Sequence, residues 1–195
     1  MRAVVFDRFG DESVLRIGDV PRPPLGPGGI RIRTRASGVN RADLLQREGH
    51  YPPPAGASEI LGMEAAGQVV EVGRDVSAWR TGDRVMALLP GGGYAEEVVV
   101  DAGSAMHVPQ ALSDIEAGAV PEVFLTVFLT VFVLARARRG ETLLVHGGGS
   151  GIGTAATTLA KRNGMRVIVT AGSQEKCERC LAHGADVAID YNNED

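Results

Sequence analysis

Lysine is nearly missing from this chain: of its 20 cationic side chains only Lys161 and Lys176 are lysines. Cysteine occurs twice, at Cys177 and Cys180, and aromatic residues make up 5% of the 195 positions. Two cysteines three apart on a predicted helix, with no second Cys or His pair nearby, offer neither a disulfide framework nor a zinc site. A reduced pair in a cytoplasmic protein is the expectation. Acidic side chains number 24, so the net charge is −4 and there is no basic stripe for nucleic acid. Long apolar runs are absent as well. The longest, Val123 to Ala135, falls short of the about 20 residues needed to cross a bilayer, so no membrane span is expected. Met1-Arg2-Ala3-Val4 reads straight into a strand, which predicts no leader segment. With 44% apolar residues, the chain can bury a sizeable core.

Glycine, by contrast, is plentiful, and its densest cluster carries the chemistry. Thr142-Leu143-Leu144-Val145-His146 is an apolar run that ends in Gly147-Gly148-Gly149-Ser150-Gly151-Ile152-Gly153-Thr154 and then becomes helical. This predicts a strand, a tight turn and a helix N-terminus, where backbone N–H groups and the helix dipole can hold a pyrophosphate. Ser150 stands where the usual G-x-G-x-x-G has its middle glycine, and a purely structural strand-to-helix turn is the alternative. Thr154 to Asn163 reads as a helix stopped by Gly164, with Ala155, Leu159 and Ala160 turned inward. Arg166 to Thr170 and Val187 to Tyr191 read as the second and third strands. An NAD-specific domain carries a carboxylate at the end of the second strand, bonded to the ribose 2′-OH. Here that place holds Ala171-Gly172-Ser173, with Lys176 one turn on, a pattern that suits a 2′-phosphate and favours NADPH over NADH. A solvated first-turn lysine is the bland alternative.

The first 121 residues have a different texture. Ile30, Ile32, Thr34 and Ala36 alternate with Arg31, Arg33 and Arg35, a half-buried strand with its arginine face in water. Strand-like runs recur at Ala3–Phe6, Gln68–Val72, Asp83–Leu88 and Ala95–Val100, separated by Pro and Gly clusters, as in a small barrel-like β domain. Ser113 and Glu116 form a capping-box pattern where the period turns helical, and the boundary falls near Pro121. The expected division is 1–121 and 122–195. Phe124, Phe128 and Phe132 then recur at i, i+4 and i+8, which predicts one packed stripe of a helix.

Several stretches together resemble the front part of the zinc-independent medium-chain dehydrogenases/reductases, in the quinone oxidoreductase (zeta-crystallin-like) branch and especially its p53-inducible subgroup. They are Gly38-Val39-Asn40-Arg41-Ala42-Asp43-Leu44-Leu45-Gln46-Arg47, Tyr51-Pro52-Pro53-Pro54, Leu61-Gly62-Met63-Glu64-Ala65-Ala66-Gly67, Thr81-Gly82-Asp83-Arg84-Val85-Met86-Ala87, Gly91-Gly92-Gly93-Tyr94-Ala95, Pro121-Glu122-Val123-Phe124-Leu125-Thr126 and the glycine-rich turn. The resemblance implies an α/β protein: a GroES-like β-rich catalytic domain followed by the first half of a Rossmann domain, a doubly wound parallel sheet. It places Asn40 and Tyr51 at the substrate and nicotinamide end, with Asp43 as an orienting carboxylate. It gives the nicotinamide contact to Thr126 and the pyrophosphate to Gly148, Gly149, Ser150, Gly151, Ile152, Gly153 and Thr154. It surrounds the 2′-phosphate of NADPH with Gly172, Ser173, Lys176 and Tyr191. Zinc-dependent relatives have a cysteine where Asn40 stands and a histidine where Met63 stands, with the third ligand at Glu122. An amide and a thioether are not usual zinc donors, so no metal is expected.

The implied function is zinc-independent hydride transfer from NADPH to a small-molecule quinone or activated enone, whose conjugation spreads the arriving charge. The alternative is a truncated, catalytically incompetent dinucleotide-binding or structural fragment of such an enzyme. A short-chain dehydrogenase fits the glycine turn but not the rest. No Tyr-x-x-x-Lys exists, because Tyr51, Tyr94 and Tyr191 are followed four residues on by Ala55, Val98 and Asp195. A sheet that stops at the third strand leaves the glycine-turn strand as an edge, with Leu143, Leu144 and Val145 suited to burial on both faces. Homodimerisation or other self-association is therefore expected.

Overall fold

A computed structural model describes residues 1–193, which fall into two compact units, Met1–Glu122 and the residues from Val123 onward. In the first unit β1 (Arg2–Val5) and β2 (Arg16–Asp19) form an antiparallel hairpin. A five-stranded antiparallel sheet follows, built from β3 (Gly29–Ala36), β4 (Glu64–Val72), β5 (Arg84–Leu88), β6 (Glu97–Asp101) and β7 (Ala105–His107) in the order β6-β3-β4-β5-β7. Helix α1 (Arg41–Arg47) lies between β3 and β4, and α2 (Asp114–Ala117) follows β7.

The period-2 pattern decides which side chains meet across this sheet. Ile32 opposes Val69, Ala66 opposes Met86, and Ile30, Ile32, Val69 and Val85 are completely buried. Each such side chain contributes about 1.5–3 kcal/mol on leaving water. The arginine face of β3 is not simply solvated. Arg31 is 5% exposed, because its guanidinium is taken up by Glu71 at 2.8 Å and the Pro23 carbonyl at 3.0 Å. Two strand bounds also move. β4 begins four residues before the expected Gln68 and so takes in Glu64, and β6 begins at Glu97 rather than Ala95. The Ser113–Glu116 capping box forms, with Glu116 N–H donating to Ser113 Oγ and Ser113 N–H donating to Glu116 Oε2.

The second unit opens with α3 (Pro121–Val127), whose first residues complete the first unit. The chain continues as a π-helical segment, Phe128–Leu134, closed by an i→i+5 bond from Ala135 N–H to the Thr130 carbonyl. Phe124 and Phe132 pack against the cores of this unit as expected, but Phe128 between them leaves the packed stripe. Phe128 is 54% exposed and touches Phe132 at a ring-centroid separation of 6.0 Å. Then come β8 (Thr142–His146), α4 (Gly151–Arg162), β9 (Arg166–Ala171), α5 (Gln174–Ala182) and β10 (Val187–Asp190), with a parallel sheet in the order β10-β9-β8. Helix α4 starts three residues earlier than expected, because Ser150 rather than a later residue caps it. Leu143 and Val145 pack inward, but Leu144 is 53% exposed and not buried on both faces.

Among the described residues, no helix is long and apolar enough to cross a membrane. Cys177 and Cys180 are both buried on α5 and are not joined in a disulfide.

Candidate functional site

Asn40 and Asp43 come together at the start of α1. Asp43 is 2% exposed, and three donors converge on its carboxylate: Asn40 N–H at 2.8 Å, Gly62 N–H at 3.0 Å and the Tyr94 hydroxyl at 3.0 Å. Its bond to the Asn40 N–H satisfies a donor that helix geometry leaves unpaired. The Gly62 bond depends on a backbone at φ +105°, where a side chain would also strike Tyr94 N at 2.6 Å. The Asn40 side-chain amide turns the other way and donates to Glu64 Oε1 at 2.8 Å. Glu64 is itself 2% exposed and takes the Glu122 N–H on Oε2 at 2.9 Å.

Asn40, Asp43, Glu64, Tyr94 and Glu122 thus form one connected network in the first unit. Its electrostatics are those of crowded carboxylates. Burial pushes the Glu64 carboxyl up, against the lowering effect of its bonds from Glu122 N–H and Asn40, and the Asp43 charge adds to the rise. Glu122 is raised by burial first, then by Glu64 and Asp43. Tyr94 is held protonated well above the ordinary phenol range by burial and by the neighbouring Asp43.

Tyr51 is placed elsewhere. It lines a cavity of about 680 Å³ together with Phe6, Phe9, Gln46, Pro52 and Ile60, and neither Asn40 nor Asp43 belongs to that wall.

The glycine turn is built as the sequence suggests, although its glycines do different work. Gly147 carries the positive φ of +72°. A Cβ at Gly148 would sit 2.6 Å from Val169, and one at Gly153 would sit 2.5 Å from the Gly147 and Gly148 carbonyls, so both glycines allow close packing. Gly149 faces open space. Ser150 caps α4 by accepting the Gly153 N–H at 3.0 Å. The N–H groups of Gly151 and Ile152 begin the helix, where no intrahelical acceptor exists, and both residues are exposed. The Thr154 hydroxyl is turned back to the Ser150 and Gly151 carbonyls at 3.1 and 3.0 Å. Thr126 lies on α3 three residues beyond Val123, whose Cγ1 is 3.1 Å from a Cβ built at Gly151. The same face of α3 therefore runs past the turn.

At the end of β9, Gly172, Ser173, Lys176 and Tyr191 do come together. Ser173 caps α5, its Oγ accepting the Lys176 N–H at 3.3 Å. A Cβ at Gly172 would lie 2.5 Å from Tyr191 Oη, and Tyr191 N–H donates to the Ala171 carbonyl at 3.2 Å. Lys176 and Tyr191 are exposed. No ion pair to Lys176 occurs among the described residues.

These two units, each built around its own sheet, match two family models. Residues 26–110 match the alcohol dehydrogenase GroES-like domain, and residues 151–195 match the zinc-binding dehydrogenase domain. The chain belongs to the medium-chain dehydrogenase/reductase superfamily.

It is 36% identical to a quinone oxidoreductase of Pseudomonas aeruginosa, over 99% of this chain and 59% of that protein. It is 37% identical to a phthioceranic/hydroxyphthioceranic acid synthase of Mycobacterium tuberculosis, over 93% of this chain but 8% of the synthase. Its fold superposes on the Escherichia coli quinone oxidoreductase complexed with NADPH at a TM-score of 0.90 and 31% identity, covering 100% of this chain and 60% of that one. The chain thus spans about six-tenths of the quinone oxidoreductases it matches and a small part of the synthase. The GroES-like β-rich unit followed by a Rossmann-type parallel sheet is the architecture of this group.

Three residues of the first unit escaped the sequence reading as site candidates: Glu64, Tyr94 and Gln46. A glutamate ahead of Ala65-Ala66-Gly67 in an otherwise small, apolar strand was a signal for Glu64. Tyr94 becomes visible only when β1 brings the Gly93–Ala95 segment alongside, with Val4 N–H bonded to the Tyr94 carbonyl at 2.9 Å. Gln46 reads as an ordinary helix residue until its burial is known.

Proposed function

We propose that this chain forms the front part of an NADPH-dependent, zinc-independent reductase of quinones or activated enones. The observation that carries the reading is the end of β9. No carboxylate stands there, and Ser173, the exposed Lys176 and Tyr191 cluster where a 2′-phosphate would lie. The fit extends to the turn: an open Gly149 and the exposed N–H groups of Gly151 and Ile152 make a cradle for a pyrophosphate at a helix N-terminus. Related quinone oxidoreductases have been solved with NADPH bound, which supports the same cofactor here. When bound, the nicotinamide supplies the hydride.

The chain's own residues have the following parts. Gly148–Thr154 hold the pyrophosphate, Gly172, Ser173, Lys176 and Tyr191 hold the 2′-phosphate, and Thr126 orients the nicotinamide. Asn40 gives one amide N–H to Glu64 and keeps a second for a substrate oxygen. Asp43 fixes the Asn40 backbone, and Tyr51 packs on the substrate ring. Zinc independence rests on the donor set at positions 40 and 63, an amide already committed to Glu64 and the Met63 thioether. Without a Lewis acid the acceptor must delocalise its own charge, hence a quinone or conjugated enone.

The test is NADPH oxidation at multiple turnover with an ortho-quinone, run on the chain and on the longer polypeptide if one exists, with elemental analysis beside it. Turnover that survives chelation, with no stoichiometric zinc, is expected. One tightly held zinc per chain, or turnover with NADH only, overturns the reading.

A further inference from the structure

Helix α1 buries two polar side chains, Asp43 and Gln46, three residues apart on one face. Asp43 has three partners. Gln46 is 5% exposed and its side-chain amide has no hydrogen-bond partner among the described residues. Leaving a buried amide unmade is costly, and such groups in folded proteins are nearly always paired. Its atoms are also not sealed in, because the only wholly enclosed side-chain polar atom without a partner among the described residues is Thr34 Oγ1. Gln46 instead borders the cavity of about 680 Å³. That volume lies within the range of small-molecule sites, about 300–1,000 Å³.

The rest of the wall is largely apolar, with Asp7, Arg8 and Glu59 as its charged members. Phe6 and Phe9 stand with ring centroids 6.4 Å apart and planes at 47°, and Tyr51, Pro52 and Ile60 line it with them. Phe9 is 67% exposed, and its ring lies over the backbone of Gly49, where a built Cβ would be 2.8 Å from Cδ2. A half-open slot between aromatic faces, with one unspent amide at its edge, matches a planar ring that carries an oxygen.

We infer that this cavity seats the ring portion of the substrate and that the Gln46 amide pairs with a hydroxyl or carbonyl on that ring, making Gln46 a specificity-determining residue for ring-fused, oxygen-substituted acceptors. This rests on the quinone or enone reading above. The amide can either donate or accept, so a ring hydroxyl and a ring carbonyl are both served by rotation about its last bond.

The test uses an unreactive probe, so it does not depend on turnover. Titrating 1-naphthol and naphthalene into the intact chain, each resolved by side-chain amide NMR, should shift the Gln46 NH₂ resonances with 1-naphthol. One neutral hydrogen bond, at about 0.5–1.5 kcal/mol, corresponds to a preference for 1-naphthol of roughly two- to tenfold. Gln46→Leu should abolish that preference while leaving naphthalene affinity intact. It should also raise the unfolding midpoint, because it removes a buried amide that has no partner. Equal weakening of both ligands, a lowered midpoint, or shifts confined to residues outside the cavity overturn the proposal. Loss of quinone turnover in the separate activity assay counts against the reductase reading and leaves the naphthol result standing.

Discussion

Replacing Asp43 by asparagine tests the centre of the candidate site. All three partners of this carboxylate donate, two through backbone N–H groups and one through the Tyr94 hydroxyl. Asparagine has one acceptor and one donor end. If its oxygen faces Gly62, its NH₂ faces the Asn40 N–H. If its oxygen faces Asn40, its NH₂ faces the Gly62 N–H. Tyr94 can adapt in the first case, because its hydroxyl also lies 3.2 Å from the Gly38 carbonyl and can turn its proton there. One buried backbone N–H is orphaned either way. An orphaned donor costs about 1–3 kcal/mol and a lost charge-assisted bond about 1.5–3, which together give about 2.5–6 kcal/mol.

For a chain of this size about 1 kcal/mol moves the midpoint by roughly 2–4 °C, so Asp43→Asn should melt about 5–24 °C lower. Trp79 is the one tryptophan in the chain and is buried in the first unit, so its fluorescence reports the affected unit. Tyr94→Phe is the control. It removes one charge-assisted donor and orphans no N–H, so it should cost about 1.5–3 kcal/mol. An Asp43→Asn midpoint equal to or above that of Tyr94→Phe would refute the reasoning.

Lys176→Ala should weaken NADPH binding by roughly ten- to hundredfold, the worth of a charge-assisted bond to phosphate, and leave NADH nearly unchanged. Fluorescence titration with both cofactors checks this, and equal losses would show that Lys176 does not read the 2′-phosphate. Glu64 and Glu122 have raised values in the fold, so their contribution to stability is present below the ordinary carboxylate range and is lost as pH rises through those raised values. Glu64→Gln can keep both bonds if the Asn40 amide turns over, so its midpoint should fall less than the wild type's as pH rises above the ordinary carboxylate range. Parallel melting curves for the two proteins would contradict this. A polypeptide of these 195 residues should self-associate through β8, an edge strand among the described residues with Leu144 exposed, and Leu144→Lys should shift it toward monomer. Light scattering on a size-exclusion column decides, and a monodisperse wild-type monomer would count against the edge.

Local patterns were legible wherever neighbours in sequence supply the physics. Alternation marked β3, the capping box at Ser113 and Glu116 formed as written, and the glycine cluster after an apolar run marked a turn from strand to helix. The pattern misled where the periodicity of one element met a demand from elsewhere. The Phe124–Phe128–Phe132 spacing describes an α-helix, but the chain widens into a π segment at Phe128, and that ring is left outside while Phe124 and Phe132 stay packed. Arg31 alternates like a surface residue, yet Glu71 and Pro23 enclose it.

By itself, then, the sequence determined the two architectures, the glycine-rich turn from strand to helix, and the missing carboxylate at the end of β9. These follow from backbone freedom, capping and charge within about twenty residues of chain. Only the tertiary structure decided that Asp43, Glu64, Tyr94 and Glu122 share one network and that Gln46 faces a cavity. Those groups are as many as 79 positions apart in the numbering, from Asp43 to Glu122. Burial and pairing across the β3–β4–β5 sheet, α1 and the Gly93–Ala95 segment bring them together, and no local rule encodes a distance that only a closed fold can set.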